Sequence, residues 1–244
     1  MFDLLTYQNS DAAISNTLWN LIDLVYPPFC CNCGTIGFEI CPDCFANIQT
    51  MNTNMICGFC GSYLNAAHKC EYGDHRDLMF TQARSWGEYV GPLKSILTKI
   101  KYNRGLGLVK ILVPEIAKFI RNWQIAYDFI TPVPLGRQRK AARGYNQSEI
   151  INRPVSKLLK KPFITDAVSR ERETISQVGL TYEQRILNVK DAFTANPSVC
   201  QGRSILLCDD ITTTFSTLNE CAGALLEAGA ANVYCFTVAR AVNN

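Results

Sequence analysis

The sequence has no long apolar run, little net charge and only two histidines, and each shortage excludes a class of function. No apolar stretch reaches the roughly 20 residues that cross a bilayer as a helix. The start of the chain shows no basic region followed by an apolar core, so no secretory leader is expected. Net charge is +3, from 24 basic and 21 acidic residues. The surface as a whole therefore does not attract nucleic acid, and any such role needs a local patch. There is no Walker-type loop of glycines and lysine, and Gly105-x-Gly107 alone is too short for a dinucleotide fingerprint. There are no tandem repeats and no low-complexity tract. What remains is 48% hydrophobic and 18% charged over 244 residues, enough for one ordinary domain and a small one. Leu18, Leu21, Ile22 and Val25 fall at helical spacing. They predict a short amphipathic helix that packs on the protein rather than anchoring it to a membrane.

Cysteine is abundant. Eight of the twelve lie between positions 30 and 70: Cys30, Cys31, Cys33, Cys41, Cys44, Cys57, Cys60 and Cys70. Three C-x-x-C pairs result, and glycine follows two of them, at Gly34 and Gly61. Two thiolates so spaced grip one side of a tetrahedral zinc ion. Cys30/Cys33 and Cys41/Cys44, seven residues apart, complete one Cys₄ site. A redox pair would occur once, and a secreted disulfide framework would need the missing leader. Cys57, Cys60 and Cys70 supply three ligands of a second site, with His75, His68 or Cys31 as the fourth. Filled tetrahedra leave no open position, so both sites read as structural zinc. Cys200, Cys208, Cys221 and Cys235 are isolated and read as small buried apolar residues.

The composition changes near residue 77, dividing a metal-binding module (1–77) from an α/β domain (78–244). Residues 80–89 suggest a hairpin. Helices are expected over 91–102, over 108–123 with a break near Pro114, over 147–159 with a kink or restart at Pro154, and over 218–228 with Gly229 at the end. Buried strands are expected over 127–132, 204–208 and 232–238.

The chemistry concentrates where the strand from Ser204 ends in Asp209-Asp210 and the hydroxyl loop Thr212-Thr213-Thr214-Phe215-Ser216-Thr217 follows. Thr217 and Glu220 have the spacing of a capping box. Free N–H groups, hydroxyls and the helix dipole then converge on a phosphate site, and two carboxylates beside it suit sugar hydroxyls, a metal ion or both. A second stretch, Arg137 to Arg143, places four cations in seven residues after a strand end. It reads as a basic loop in which Arg139 and Arg143 clamp a pyrophosphate, with Asn146 and Gln147 as neutral donors. A third, residues 169–189, is a polar segment carrying Arg170, Thr174, Gln177, Leu180, Thr181, Arg185 and Asn188. Its alternatives are a functional loop or a surface lid.

The acid pair and hydroxyl loop resemble the phosphoribosyl-pyrophosphate loop of type I phosphoribosyltransferases. One position differs: Phe215 stands where that family usually has glycine. Together with the cysteine pairs, Ile100-Lys101-Tyr102-Asn103-Arg104-Gly105, Pro132-Val133-Pro134-Leu135, Arg143-Gly144-Tyr145-Asn146-Gln147 and Phe193, this pattern resembles the ComF family over nearly the whole chain. The resemblance implies an N-terminal zinc ribbon on a type I phosphoribosyltransferase-like parallel sheet with helices on both faces. It also implies a cytoplasmic role in DNA uptake during natural competence. Three functions follow. A phosphoribosyltransferase would use Asp209 and Asp210 on the ribose hydroxyls, the loop on the 5′-phosphate, and Mg²⁺ on the pyrophosphate of phosphoribosyl pyrophosphate; no base for an acceptor stands out. A single-stranded DNA handler would use Lys101, Arg104 and the 137–143 patch for charge, and Tyr102 and Tyr145 for stacking. A zinc-dependent adaptor would dock a DNA-uptake helicase. Phe215 predicts weak phosphoribosyl binding with little or no transfer, a ring packed on the sheet or a base, and tighter phosphate binding in Phe215→Gly.

Overall fold

The computed structural model describes residues 27–103, 105–172 and 182–241. The helix expected around Leu18 to Val25 lies outside them, as do Arg104, Thr174, Gln177, Leu180, Thr181 and the side chain of Arg185. The chain divides into two compact units, Met1–Asn47 and Ile48–Asn244. The chemical boundary near residue 77 is a different one, because the second cysteine group falls between the two positions.

The first unit is organised by sulfur. The 30–34 turn is closed by the Gly34 N–H donating to the Cys30 carbonyl, with Gly34 at φ 82°. That left-handed backbone is one glycine adopts without strain. Helix α1 (Pro42–Ala46) begins at Cys41, whose Sγ accepts the Cys44 N–H at 3.4 Å.

The second unit runs β1 (Gln82–Glu88), α2 (Gly91–Asn103), α3 (Leu106–Asn122), β2 (Phe129–Pro132), α4 (Arg137–Arg143), α5 (Gln147–Leu159), β3 (Val168–Arg170), α6 (Tyr182–Val189), β4 (Phe193–Ala195), α7 (Pro197–Cys200), β5 (Ser204–Thr212), α8 (Ser216–Glu227) and β6 (Asn232–Arg240). Four strands form one parallel sheet in the order β1-β6-β5-β2, and β3 and β4 make a small antiparallel pair.

Both sheet faces are covered, which is why β5 and β6 read as continuous apolar runs. Ile205, Leu207, Val233 and Cys235 join Leu218 and Leu225 of α8 in one core. The alternate residues face the other way: Phe236 meets Phe119 of α3 at 6.0 Å between ring centroids, and Tyr234 meets Trp123. Cys200, Cys208, Cys221 and Cys235 are all fully buried, as small apolar residues should be.

Several local expectations are corrected. Residues 82–88 are a single strand, not a hairpin. Gly87 allows a close approach: a Cβ would lie 2.7 Å from Leu93 Cδ2 and 2.9 Å from the Gln49 carbonyl oxygen. Helix α3 runs through Pro114 without a break, and α5 runs through Pro154. Pro114 sits on the exposed face of α3, where the carbonyl it frees faces solvent rather than the core. The basic segment is helix α4 rather than a loop, closed by Gly144 at φ 79°. Strand β5 does not stop at Cys208. It carries Asp209 and Asp210 on to Thr212 because β6 continues beside it, pairing Asp209 with Thr237 and Thr212 with Arg240.

Candidate functional site

Helix α8 starts at Ser216, with Phe215 as its N-cap at φ 60°, ψ −3°. The capping box does not form, because Glu220 Oε2 instead accepts the Asp191 N–H at 3.2 Å. Phe215 holds the positive φ expected only of glycine. A bulky residue there is strained, and burial of its ring, 2% exposed, offsets that strain.

A cavity of about 320 Å³ opens at the carboxyl ends of the parallel strands. Lys101, Arg139, Arg143, Asn146, Gln147, Asp209, Asp210, Thr213 and Thr217 line it. These come from three separate stretches of sequence, at 101, 139–147 and 209–217. Thr212, Thr214 and Ser216 are placed elsewhere. Thr212 is buried. Thr214 and Ser216 share a 2.7 Å hydrogen bond and face a second cavity, of about 480 Å³, on the other side of the loop. That larger cavity carries Glu71, Asp77 and Glu220 and no lysine or arginine, so it does not suit an anion.

Helix geometry explains the basic face. Arg139 and Arg143 are four residues apart on α4, hence on one side, half-buried against the cavity, while Arg137 and Lys140 are exposed. Arg143 Nη1 donates to Gln147 Oε1 at 3.2 Å. Gln147 is 3% exposed, and its Nε2 finds no partner among the described residues. A buried amide donor left over in a polar cavity fits a ligand with acceptor oxygens. Asn146 is committed to structure. Its Nδ2 donates to the Val133 carbonyl at 2.9 Å, and its Oδ1 caps α5 by accepting the Ser148 N–H. At the mouth, Tyr102 is 62% exposed, with Lys101 and Arg143 each 5.5 Å from its ring centroid. Tyr145 is half-buried, and its hydroxyl donates to the Ile100 carbonyl.

The acids are held tightly. Asp209 Oδ1 accepts from Ser148 Oγ at 2.6 Å and from the Asp210 N–H at 2.8 Å, and Asp210 Oδ1 accepts the Ile211 N–H. Asp209 is half-buried in the cavity wall. Burial, and then the neighbouring Asp210, push its pKa well above the usual carboxylate range, against the opposing hydrogen bond from Ser148.

One residue at the site, Ser148, escaped the sequence, and a second, Arg170, stood there only as a member of the polar 169–189 segment. Ser148 has no local signal, because only the fold carries it to Asp209. Arg170 lies in the cavity wall, its guanidinium 5.1 Å from the Phe193 ring centroid. Its place in the polar 169–189 series was the available clue.

The cysteines gather in two groups. Cys30, Cys33, Cys41 and Cys44 bring their sulfurs within 4.8 Å of one another, and so do the ligand atoms of Cys57, Cys60, Cys70 and His75. His75, and not His68 or Cys31, completes the second group. Its Nε2 lies 3.3 Å from Cys57 Sγ and 3.2 Å from Cys70 Sγ. Gly61 repeats the turn of Gly34, donating to the Cys57 carbonyl at φ 68°. A side chain at Gly61 would meet the Ala83 carbonyl oxygen of β1 at 2.8 Å. Backbone N–H groups at Cys41 and Phe59 point at sulfurs of the two groups. Both donor sets fit a tetrahedral zinc ion, and Asp209 with Asp210 offers the hard oxygens that suit magnesium.

These features define a class: a zinc ribbon carried with an α/β domain whose parallel sheet opens a polar cavity at its strand ends. The double zinc ribbon domain family matches residues 21–72. The DNA utilization protein YhgH of Escherichia coli K12 is 31% identical over 207 residues, covering 82% of this chain and 90% of that protein. Competence protein F of Haemophilus influenzae is 29% identical over 215 residues, covering 83% and 90%. Competence protein ComFC of Bacillus subtilis is 28% identical over 210 residues, covering 83% and 84%. The chain belongs to the ComF family. Among solved structures, the adenine phosphoribosyltransferase of Leishmania donovani shares 13% identity, covering 66% of this chain and 73% of that one, at a TM-score of 0.38. That likeness is too distant to bear on function. No helix among the described residues is long and apolar enough to cross a membrane.

Proposed function

We propose that this protein binds phosphoribosyl pyrophosphate, or a related sugar phosphate, with Mg²⁺ in the strand-end cavity, and serves DNA uptake in the cytoplasm of a competent cell. The observation that carries the reading is the opposition of two carboxylates to Lys101, Arg139, Arg143 and Arg170 around one cavity. Asp209 and Asp210 take the ribose hydroxyls and the cation. Arg139 and Arg143 take the pyrophosphate in forked contacts. Thr213, Thr217 and the N-terminus of α8 take the 5′-phosphate. Asp209 and Asp210 would hold the Mg²⁺, which would supply positive charge to neutralise the pyrophosphate. The two cysteine groups hold structural zinc. The names of the relatives support the role in DNA uptake.

Transfer to an acceptor is a weaker reading, because no side chain in the cavity wall stands out as its base. Contact with single-stranded DNA has a specific support: an exposed aromatic ring, Tyr102, has two cations within 5.5 Å of its centroid at the cavity mouth, the pairing of ring and charge that single-strand binding uses. Calorimetric titration with phosphoribosyl pyrophosphate and Mg²⁺, then with a short DNA strand, tests both. Absence of heat with the first ligand sinks the phosphoribosyl reading.

A further inference from the structure

Phe215 is the strained residue of the phosphate loop, and what holds it comes from the cysteine–histidine group. Between Cys70 and His75 the chain reads Glu71-Tyr72-Gly73-Asp74. The Tyr72 ring lies 5.6 Å from that of Phe215. Glu71 Oε1 accepts from Arg240 Nη2 at 2.8 Å. Arg240 in turn places its guanidinium 4.5 Å from the Phe215 ring centroid and 5.9 Å from that of Tyr72. On the far side, Phe80 meets Phe215 at 5.3 Å, edge on. Arg240 is 3% exposed, and its Nη1 finds no hydrogen-bond partner among the described residues. Glu71 is thus the one acidic partner seen for a buried cation that also seats the Phe215 ring.

We propose that Glu71 and Tyr72 are positioning residues for the phosphate loop. They act through Arg240 and Phe215, so that order in the Cys57/Cys60/Cys70/His75 site sets the grip of residues 212–217 on phosphate. The inference rests on reading the strand-end cavity as a phosphate site. Its physical basis is that a left-handed phenylalanine persists only while its surroundings over-determine it. Here two ligand-candidate residues, Cys70 and His75, pin both ends of the six-residue stretch that supplies Tyr72 against the ring and Glu71 against Arg240. When the stretch loosens, Arg240 loses its carboxylate, Phe215 loses one wall, and the backbone N–H groups that face phosphate lose their fixed direction.

The test uses the full chain and three variants. Tyr72→Ala removes the wall, Glu71→Ala removes the carboxylate, and Tyr72→Phe keeps the ring. Zinc content, amide hydrogen exchange over residues 212–217 without ligand, and affinity for phosphoribosyl pyrophosphate with Mg²⁺ are measured on each. The expected result is unchanged zinc, faster exchange in the loop, and binding weaker by about tenfold in both alanine variants. Tyr72→Phe should match the parent. Parent-like exchange and affinity in the alanine variants overturn the proposal. So does loss of zinc in them, which would make these residues supports of the metal rather than of the loop. If the parent itself binds no phosphoribosyl pyrophosphate, the phosphate reading falls, and the exchange rates still decide whether Glu71 and Tyr72 position the loop.

Discussion

Ser148, in the first turn of α5, donates its hydroxyl to Asp209 of β5, 2.6 Å away and 61 residues distant in sequence. This bond joins the basic stretch, which leads into α5, to the acid pair. It fixes one carboxylate oxygen, and the Asp210 N–H donates to the same atom.

Replacing Asp209 and Asp210 together by asparagine should abolish binding of phosphoribosyl pyrophosphate with Mg²⁺. Hydrogen bonds to charged groups contribute about 1.5–3 kcal/mol each, so affinity should fall by roughly a hundredfold or more. The fold should persist, because asparagine keeps the acceptor that Ser148 uses. Calorimetry with unchanged affinity would reject the site.

Asp209→Asn should alter stability with a definite pH dependence. The folded carboxyl is held above its ordinary value by burial, while the unfolded one titrates near 3.9. Between the two, the folded state keeps a proton that the unfolded state has released, so the parent loses stability as pH rises through that window. Asparagine has no such loss. In Mg²⁺-free buffer the variant should exceed the parent by on the order of 1 kcal/mol at pH 8, and the difference should vanish below pH of about 3.9. Urea midpoints across pH measure it, and equal midpoints at pH 8 would contradict the placement of the charge.

Metal analysis of the reduced protein should find two zinc ions per chain, one for each group. Cys33→Ser and Cys60→Ser should each lose one. The first unit has little apolar surface to hold it without metal, so chelation should make its residues the first to be cut by protease. Protease patterns identical with and without chelator would remove the structural role.

If α4 contacts the phosphates of a single strand, affinity should fall with salt by about 0.7 log units of slope per contact. Arg139→Ala with Arg143→Ala should flatten the slope by about 1.4, twice that value. Alanine preserves the helix, so the change reports charge. A slope unaltered by the pair would point to a docking role instead.

Phe215→Gly reverses an expectation drawn from sequence. Comparison with the usual glycine suggests tighter phosphate binding, on the view that glycine lets the loop curl its N–H groups around the phosphate. The ring is instead a core element, packed on Phe80, Tyr72 and Arg240. Removing it should destabilise the protein by about 3–5 kcal/mol, as deletion of buried aromatic rings does, and weaken binding. Thermal denaturation and calorimetry on the same preparation decide between the two.

Legibility in the sequence followed the range of the interactions. The Cys30/Cys33 and Cys41/Cys44 pairing was readable because spacing alone sets that geometry. The runs around Leu206 and Phe236 were readable because strands covered on both faces are apolar throughout. Ser148 was not, because its role exists only across the gap to Asp209. The extent of β5 was missed for a similar reason: a strand continues as long as its neighbour does, and β6 runs on to Arg240. Helix α4 was taken for a loop because four cations outweighed Gln138, Ala141 and Ala142 in the reading, although arginine, lysine, glutamine and alanine are all good helix formers.

The sheet order has a consequence for synthesis. In β1-β6-β5-β2 the strand made latest is an interior one. Until β6 leaves the ribosome, β1 and β5 have no shared neighbour and both present unpaired edges. Arg240, at the last position of β6, is also the residue that seats Phe215. A nascent chain stopped short of it carries the acids, the hydroxyls and the basic helix, yet lacks the strand that aligns them. Such intermediates expose the long pairings that make parallel sheets slow to form and prone to association. Translational pausing within residues 204–240 should therefore cost this protein more soluble yield than a pause at any earlier strand.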